Sequence, residues 1–161
     1  MPMIYFDVLG NPVASPRPRA QRRGFDADGK PRVHMYVPST ADAWKRQVRA
    51  AAVEAIGARP LTPPGVAVEV HLAFRFARPK SHLRGGRSGG MLKADAPPHH
   101  TQRPDRDNLE KAVLDALGDF AGLPPLVWCD DCQIVAGPIT KRWALHGEPP
   151  GVAVAIWEFR G

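Results

Sequence analysis

A chain of 161 residues with 43% hydrophobic and 24% charged residues has the make-up of one soluble globular domain, large enough to bury its own core. A formal charge of +6 and a pI near 9.8 direct attention to a polyanionic partner, nucleic acid first. No apolar run approaches the ~20 residues that cross a bilayer. The start lacks a basic and then apolar leader, and two cysteines three positions apart cannot staple a fold, which suits a reducing cytoplasmic setting.

In chain order, residues 3–9 predict a first strand that ends at Gly10-Asn11-Pro12. Residues 11–31 form a mobile basic loop or arm carrying Arg17, Arg19, Arg22, Arg23 and Lys30. It is either a solvated loop or a phosphate-contacting one, which would fix register on nucleic acid without reading sequence. Residues 32–37 alternate weakly and could pair with the first strand. Ser39 or Thr40 then caps a helix, with Trp44, Val48, Ala51, Ala52, Ala55 and Ile56 at helical spacing on one face. Gly57 and Pro60 end it. Lys45, Arg46 and Arg49 read as its solvated face.

Residues 65–76 give the cleanest strand, with Val66, Val68, Val70, Leu72, Phe74 and Phe76 alternating with more polar neighbours. An irregular segment follows over 77–104, holding Arg78, Lys80, Arg84, Arg87, Lys93 and Arg103. Loops of that length in a small domain are functional or disordered. Its His82, His99 and His100 lack a regular ligand spacing and read as part of a polar loop. Residues 133–145 and 151–159 predict two late strands joined as a hairpin through His146–Pro150. The expected fold is therefore α+β: one domain over residues 1–161, with a mixed sheet of about five strands and two main helices.

One stretch departs from the basic background. Between Asp105 and Asp131 lie seven acids and two bases. Asp105 and Asp107, two apart, point to the same side if that segment is extended, and a helix can begin just after Asp107 or Asn108. Leu109, Ala112, Val113, Ala116 and Leu117 form its packing face, while Asp107, Lys111 and Asp115 follow another stripe at four-residue steps. Clustered carboxylates repel one another unless a hard cation such as Mg²⁺ or Mn²⁺ lies between them. Asp130 and Asp131 could supply further oxygens from across the site. The same pattern also describes a helix with an acidic first turn and no metal; the basic surroundings favour a metal-dependent phosphodiesterase.

The run from Pro104 to Leu117 (Pro-Asp-Arg-Asp-Asn-Leu-Glu-Lys-Ala-Val-Leu-Asp-Ala-Leu), followed by Asp130-Asp131-Cys132-Gln133-Ile134 and a late lysine, Lys141, resembles the RusA-type Holliday junction resolvases. The resemblance implies a Mg²⁺-dependent homodimeric endonuclease of bacteria, prophages or phages that acts on four-way branched DNA. It implies that Asp105, Asp107 and Asp131 are the metal-site aspartates, with Asp130 the neighbouring acid, and that Lys111 is the essential lysine. Arg17, Arg19, Arg22, Arg23, Lys80, Arg84, Arg87, Lys93 and Lys141 are the candidate DNA contacts. Two departures from the pattern are a longer connection from Leu117 to Trp128 and a cysteine at position 132.

The same residues allow rival readings. Trp128-Cys129-Asp130-Asp131-Cys132 has the outline of a thioredoxin-like redox motif. Prolines precede it, however, and its carboxylates would raise a thiol pKa, the wrong direction for reactivity. A zinc site would need a second ligand pair, which the sequence lacks. A nuclease acting on other branched DNA and a DNA-binding protein without catalysis are the remaining alternatives.

Overall fold

The structure is a computed structural model that describes residues 4–59, 62–86 and 90–160. The expectations for Met3, Pro60 and Arg87 fall outside the described residues.

Strand β4 (Val68–Phe76) is the centre of the main sheet. Its alternation buries Val68, Val70, Leu72, Phe74 and Phe76. One edge pairs antiparallel with β7 (Gly151–Glu158), which in turn pairs antiparallel with β1 (Ile4–Leu9). The other edge pairs in parallel with β5 (Ile134–Ala136) and β6 (Ile139–Trp143). The α+β fold with a mixed five-stranded sheet and two helices is thus present. The late hairpin is not: β6 and β7 lie on opposite sides of β4. The single strand expected over 133–145 is also divided, at Gly137-Pro138. Pro138 cannot donate to a ladder, and any Cβ on Gly137 would collide with the Val70 backbone.

The basic segment is irregular over residues 11–18 but not beyond. β2 (Arg19–Phe25) and β3 (Pro31–Tyr36) form a separate two-stranded antiparallel ribbon. β3 could have paired with β1; it pairs instead with β2, its neighbour in sequence. The turn at Asp26–Lys30 closes them at little entropic cost, with the Asp26 carboxylate accepting from the amides of Asp28 (3.0 Å) and Lys30 (2.7 Å).

Helix α1 (Asp42–Ile56) follows a 3₁₀ turn at Ser39–Ala41. Neither Ser39 nor Thr40 caps it with a side chain; Ala41 occupies the cap position, and the tight turn takes over the first amides. Trp44, Val48, Ala52 and Ile56 are buried as expected, whereas Ala55 is exposed. Gly57, at φ +57°, ends the helix.

Lys45 and Arg49 are not on a solvated face; each is only 8% exposed. Arg49 Nη1 donates to the carbonyls of Ala116 (3.1 Å) and Gly118 (3.2 Å), and Nη2 donates to Pro124. The Ala116 and Gly118 carbonyls are orphans at the end of helix α2 (Arg106–Leu117), where a cation also complements the dipole. Arg49→Met, which keeps the bulk and removes the donors, is expected to lower unfolding stability by about 2–3 kcal/mol. The check is the midpoint of urea unfolding at unchanged slope.

Among its described residues the 77–104 segment holds a 3₁₀ turn at Lys80–His82 and a Leu83–Leu92 bridge. It is anchored by aromatic packing. His82 and His100 are buried against Trp143, with ring centroids 5.1 and 4.3 Å away, and Trp143 Nε1 donates to the His99 carbonyl at 3.0 Å. Burial, with Lys141 nearby, pushes the His100 imidazole below its ordinary pKa. No helix among the described residues is long and apolar enough to cross a membrane.

Candidate active site

Helix α2 sets the geometry. Leu109, Ala112, Val113, Ala116 and Leu117 bury one face against α1 and the sheet, which leaves Asp107, Lys111 and Asp115 on a stripe facing away from the deepest core. The helix begins earlier than expected, at Arg106, so Asp105 is its extended N-cap residue (φ −70°, ψ 145°) and Asp107 lies in the first turn. Only Asp105 keeps extended backbone, so the alternation of an extended segment does not apply to the pair.

Three residues, Lys141, Ser15 and Arg17, hold this end of the helix. Lys141 Nζ donates to the carbonyls of Gln102 (2.7 Å) and Pro104 (2.9 Å). The Ser15 amide donates to the Asn108 carbonyl at 2.8 Å. Arg17 lies 3.7 Å from the Asp105 carboxylate, both groups exposed. Residues 14–17 with Arg103, Pro104, Asp105 and Asn108 border an open cavity of about 590 Å³.

In the last turn of the helix, Asp115 joins three partners. Oδ2 accepts from the buried Lys45 Nζ at 2.7 Å and from Ser15 Oγ at 3.2 Å, and Oδ1 accepts from Lys111 Nζ at 3.0 Å. Burial alone would raise the Asp115 carboxyl, but the hydrogen bonds and charge of Lys45 and Lys111 bring it below the usual carboxylate range. Lys111 is thereby oriented by a carboxylate that is itself held from two sides.

The far end carries Asp131. The connection from Leu117 to Trp128 folds back on itself: a Phe120–Leu123 turn forms, and the Leu126 amide donates to the Leu117 carbonyl at 2.8 Å. That return places the fully buried Trp128 so that its Nε1 donates to Asp131 Oδ1 at 2.7 Å. Asp130 caps the 3₁₀ turn Asp131–Gln133 by accepting from the Cys132 amide at 2.8 Å. Gln133 completes the clamp: its Oε1 accepts from the amides of Cys129 and Asp130, and its Nε2 donates to the Pro63 and Val66 carbonyls. Asp115, Asp119, Asp130 and Asp131 line one cavity of about 260 Å³.

The structure thus brings Asp105 and Asp107 to one end of α2, and Asp131 with Asp130 to the other. A Cβ on Gly118 would sit 3.3 Å from Asp131 Oδ1, and the helix rises about 16 Å from Asp107 to Gly118 at ~1.5 Å per residue. Among the described residues no three His, Cys, Asp or Glu side chains converge as a metal cage.

Comparison with known families matches residues 10–157 to Endodeoxyribonuclease RusA. The chain belongs to the RusA endodeoxyribonuclease family. It is also similar to the Uncharacterized protein YqaN of Bacillus subtilis (strain 168), at 32% identity over 98% of each chain.

On the RusA fold of this chain, Arg19, Arg22 and Arg23 lie on the β2–β3 ribbon with Arg17 at its root. Lys80, Arg84 and Lys93 are exposed on the 77–104 segment, and Lys141 holds the start of the acidic motif in place. Both cysteines are free, and the hydrogen bond with Asp130 pushes the Cys132 thiol above its ordinary pKa, against a redox role. Sequence reasoning missed Ser15, Lys45, Arg49, Trp128 and Gln133 as parts of the site. A signal was present for Lys45 and Arg49: each directly follows a buried position, Trp44 or Val48, at the border of the apolar stripe.

Proposed function

We propose that this chain is a structure-selective endodeoxyribonuclease that resolves four-way DNA junctions by paired symmetric nicks, working as a two-fold homodimer in the cytoplasm of a bacterial cell or phage-infected host. Membership of the RusA family supports nuclease chemistry. The observation that carries the reading to these residues is the Lys111–Asp115–Lys45 chain, which aims a charged amine from the same helix that presents Asp105 and Asp107. In this reading Lys111 faces the scissile phosphate and offsets charge that builds there, as a positioned ammonium does for phosphoryl oxygens. Asp105, Asp107 and Asp131 serve the reaction, and the basic ribbon and the 77–104 segment hold the backbone. A C₂ dimer suits a substrate with two equivalent strands to cut.

A divalent cation such as Mg²⁺ or Mn²⁺ takes oxygen ligands and activates water, so the carboxylates have suitable donor chemistry. They do not form one cage within a single chain, because Asp131 lies a helix length from Asp105 and Asp107.

The test is a synthetic four-way junction incubated with the protein and Mg²⁺, with and without EDTA. Paired nicks at symmetric positions, lost on chelation, are the expected result. Equal cutting of linear duplex would keep the nuclease and discard the junction as its substrate. Binding without cutting in Mg²⁺, and again in Mn²⁺, would leave a DNA-binding protein.

A further inference from the structure

The β2–β3 ribbon has two chemically different faces. Residues opposite one another in an antiparallel pair share a face, so the register places Arg19, Gln21, His34 and Tyr36 on one side and Ala20, Arg22, Val33 and Met35 on the other. The irregularity between Arg22 and Phe25 returns Phe25, opposite Pro31, to that second side. There the Arg22 guanidinium lies over the Phe25 ring at 4.3 Å. Every residue of both strands is exposed, and the apolar side chains are open to solvent: Phe25 60%, Val33 62%, Met35 58%. An isolated two-stranded ribbon is marginal in water without a surface to pack on.

Its charge says what that surface is. Residues 19–36 carry five bases, Arg19, Arg22, Arg23, Lys30 and Arg32, against two acids at the turn, one of which, Asp26, is occupied by backbone amides. The ribbon's root is Arg17, beside Asp105.

We propose that the ribbon is an arm that enters a groove of the DNA duplex flanking the cut site, with Phe25, Val33 and Met35 against the groove floor and the arginines reaching the phosphates on its walls. This deepens the nuclease reading and rests on it for the position of the cut. The major groove, about 12 Å wide, admits a two-stranded ribbon, and long basic side chains can extend past an apolar body to reach charge. A strand of this length spans about 20 Å at ~3.3 Å per residue, which corresponds to about six base pairs of duplex measured from Asp105.

The experiment compares binding, in EDTA so that no cutting intervenes, to four-way junctions with arms of about five and about fifteen base pairs. It uses the wild type and the triple variant Phe25→Ser, Val33→Ser, Met35→Ser, with light scattering on each. The wild type is expected to bind the long-armed junction at least about tenfold more tightly than the short-armed one, and the variant to bind both alike, at unchanged mass. Because the three side chains are exposed in the free protein, the thermal melting of the variant should match the wild type.

A variant that keeps the full arm-length preference overturns the proposal. So does a variant whose mass halves while its affinity falls equally for both arm lengths; that result makes the ribbon a contact between copies of this chain. Cleavage by the wild type is scored separately in Mg²⁺. An inactive protein that still shows the arm-length effect would refute the nuclease reading and leave the ribbon's role standing.

Discussion

Asp107→Asn is expected to lower junction cleavage by at least about 10³-fold while changing junction affinity by less than about threefold, the signature of a group used in the reaction rather than in binding. Asp107 is exposed in the first turn of α2, so the isosteric amide removes a charge without a packing change. Asp131→Asn should have the same effect on cleavage. Its amide oxygen can still accept from Trp128 Nε1, so the 3₁₀ turn clamped by Asp130 and Gln133 should survive. Quenched-flow or gel cleavage of a labelled junction, alongside gel-shift binding in EDTA, separates the two effects.

The two variants carry further information when mixed. A cation's ligands lie within about 2.6 Å of it, whereas Asp107 and Asp131 lie at opposite ends of α2. If the proposed two-fold dimer joins one end of each helix to the other end of its partner, a mixed dimer of the two inactive variants holds one intact set, and nicking should return. If each end works within its own chain, the mixture stays inactive. Cleavage by either variant alone at the wild-type rate would remove that carboxylate from the reaction.

The features legible in the sequence are those set by local pattern. The alternation of Val68 to Phe76 announced the central strand, and the spacing of Leu109, Val113 and Ala116 announced the packing face of α2. The acidic blocks announced the family. Strand partners were not legible, because pairing is decided by competition among distant segments. β3 could alternate against either β1 or β2, and the Asp26 turn decided it. β6 reads as a hairpin partner for β7 until β4, apolar enough to be central, takes both edges. Burial of Lys45 and Arg49 was hidden for a related reason: a charged residue on a helix is normally solvated, and only the tertiary position of Asp115 and of the α2 terminus makes their burial favourable. The separation of Asp105 from Asp131 follows from helix length once α2 is known to run unbroken to Leu117. The sequence pattern groups them by chemistry without fixing the distance.

Asp115→Asn tests the buried network at the last turn of that helix, and two losses should follow together. Lys45, 8% exposed, would keep its ammonium and lose its carboxylate, and removing one partner of a buried pair leaves an uncompensated charge, expected here to lower unfolding stability by about 3 kcal/mol. Lys111 would lose the group that orients it, so cleavage should fall by about 10²-fold with little change in junction affinity. The double variant Asp115→Asn, Lys45→Met removes both partners of the buried pair and should regain much of the stability without regaining cleavage. That split assigns the stability loss to the Lys45 pair and the catalytic loss to Lys111. The pH dependence has a definite sign. Because the Asp115 carboxyl is held below its ordinary value in the fold, its contribution is present above the unfolded value of about 4 and fades as pH drops through the lower folded value. The wild type should therefore lose stability below about pH 4 more steeply than Asp115→Asn does. Parallel acid unfolding curves for the two proteins would show that the carboxylate is not stabilised by Lys45 and Lys111, and would remove the basis for giving Asp115 the task of positioning Lys111.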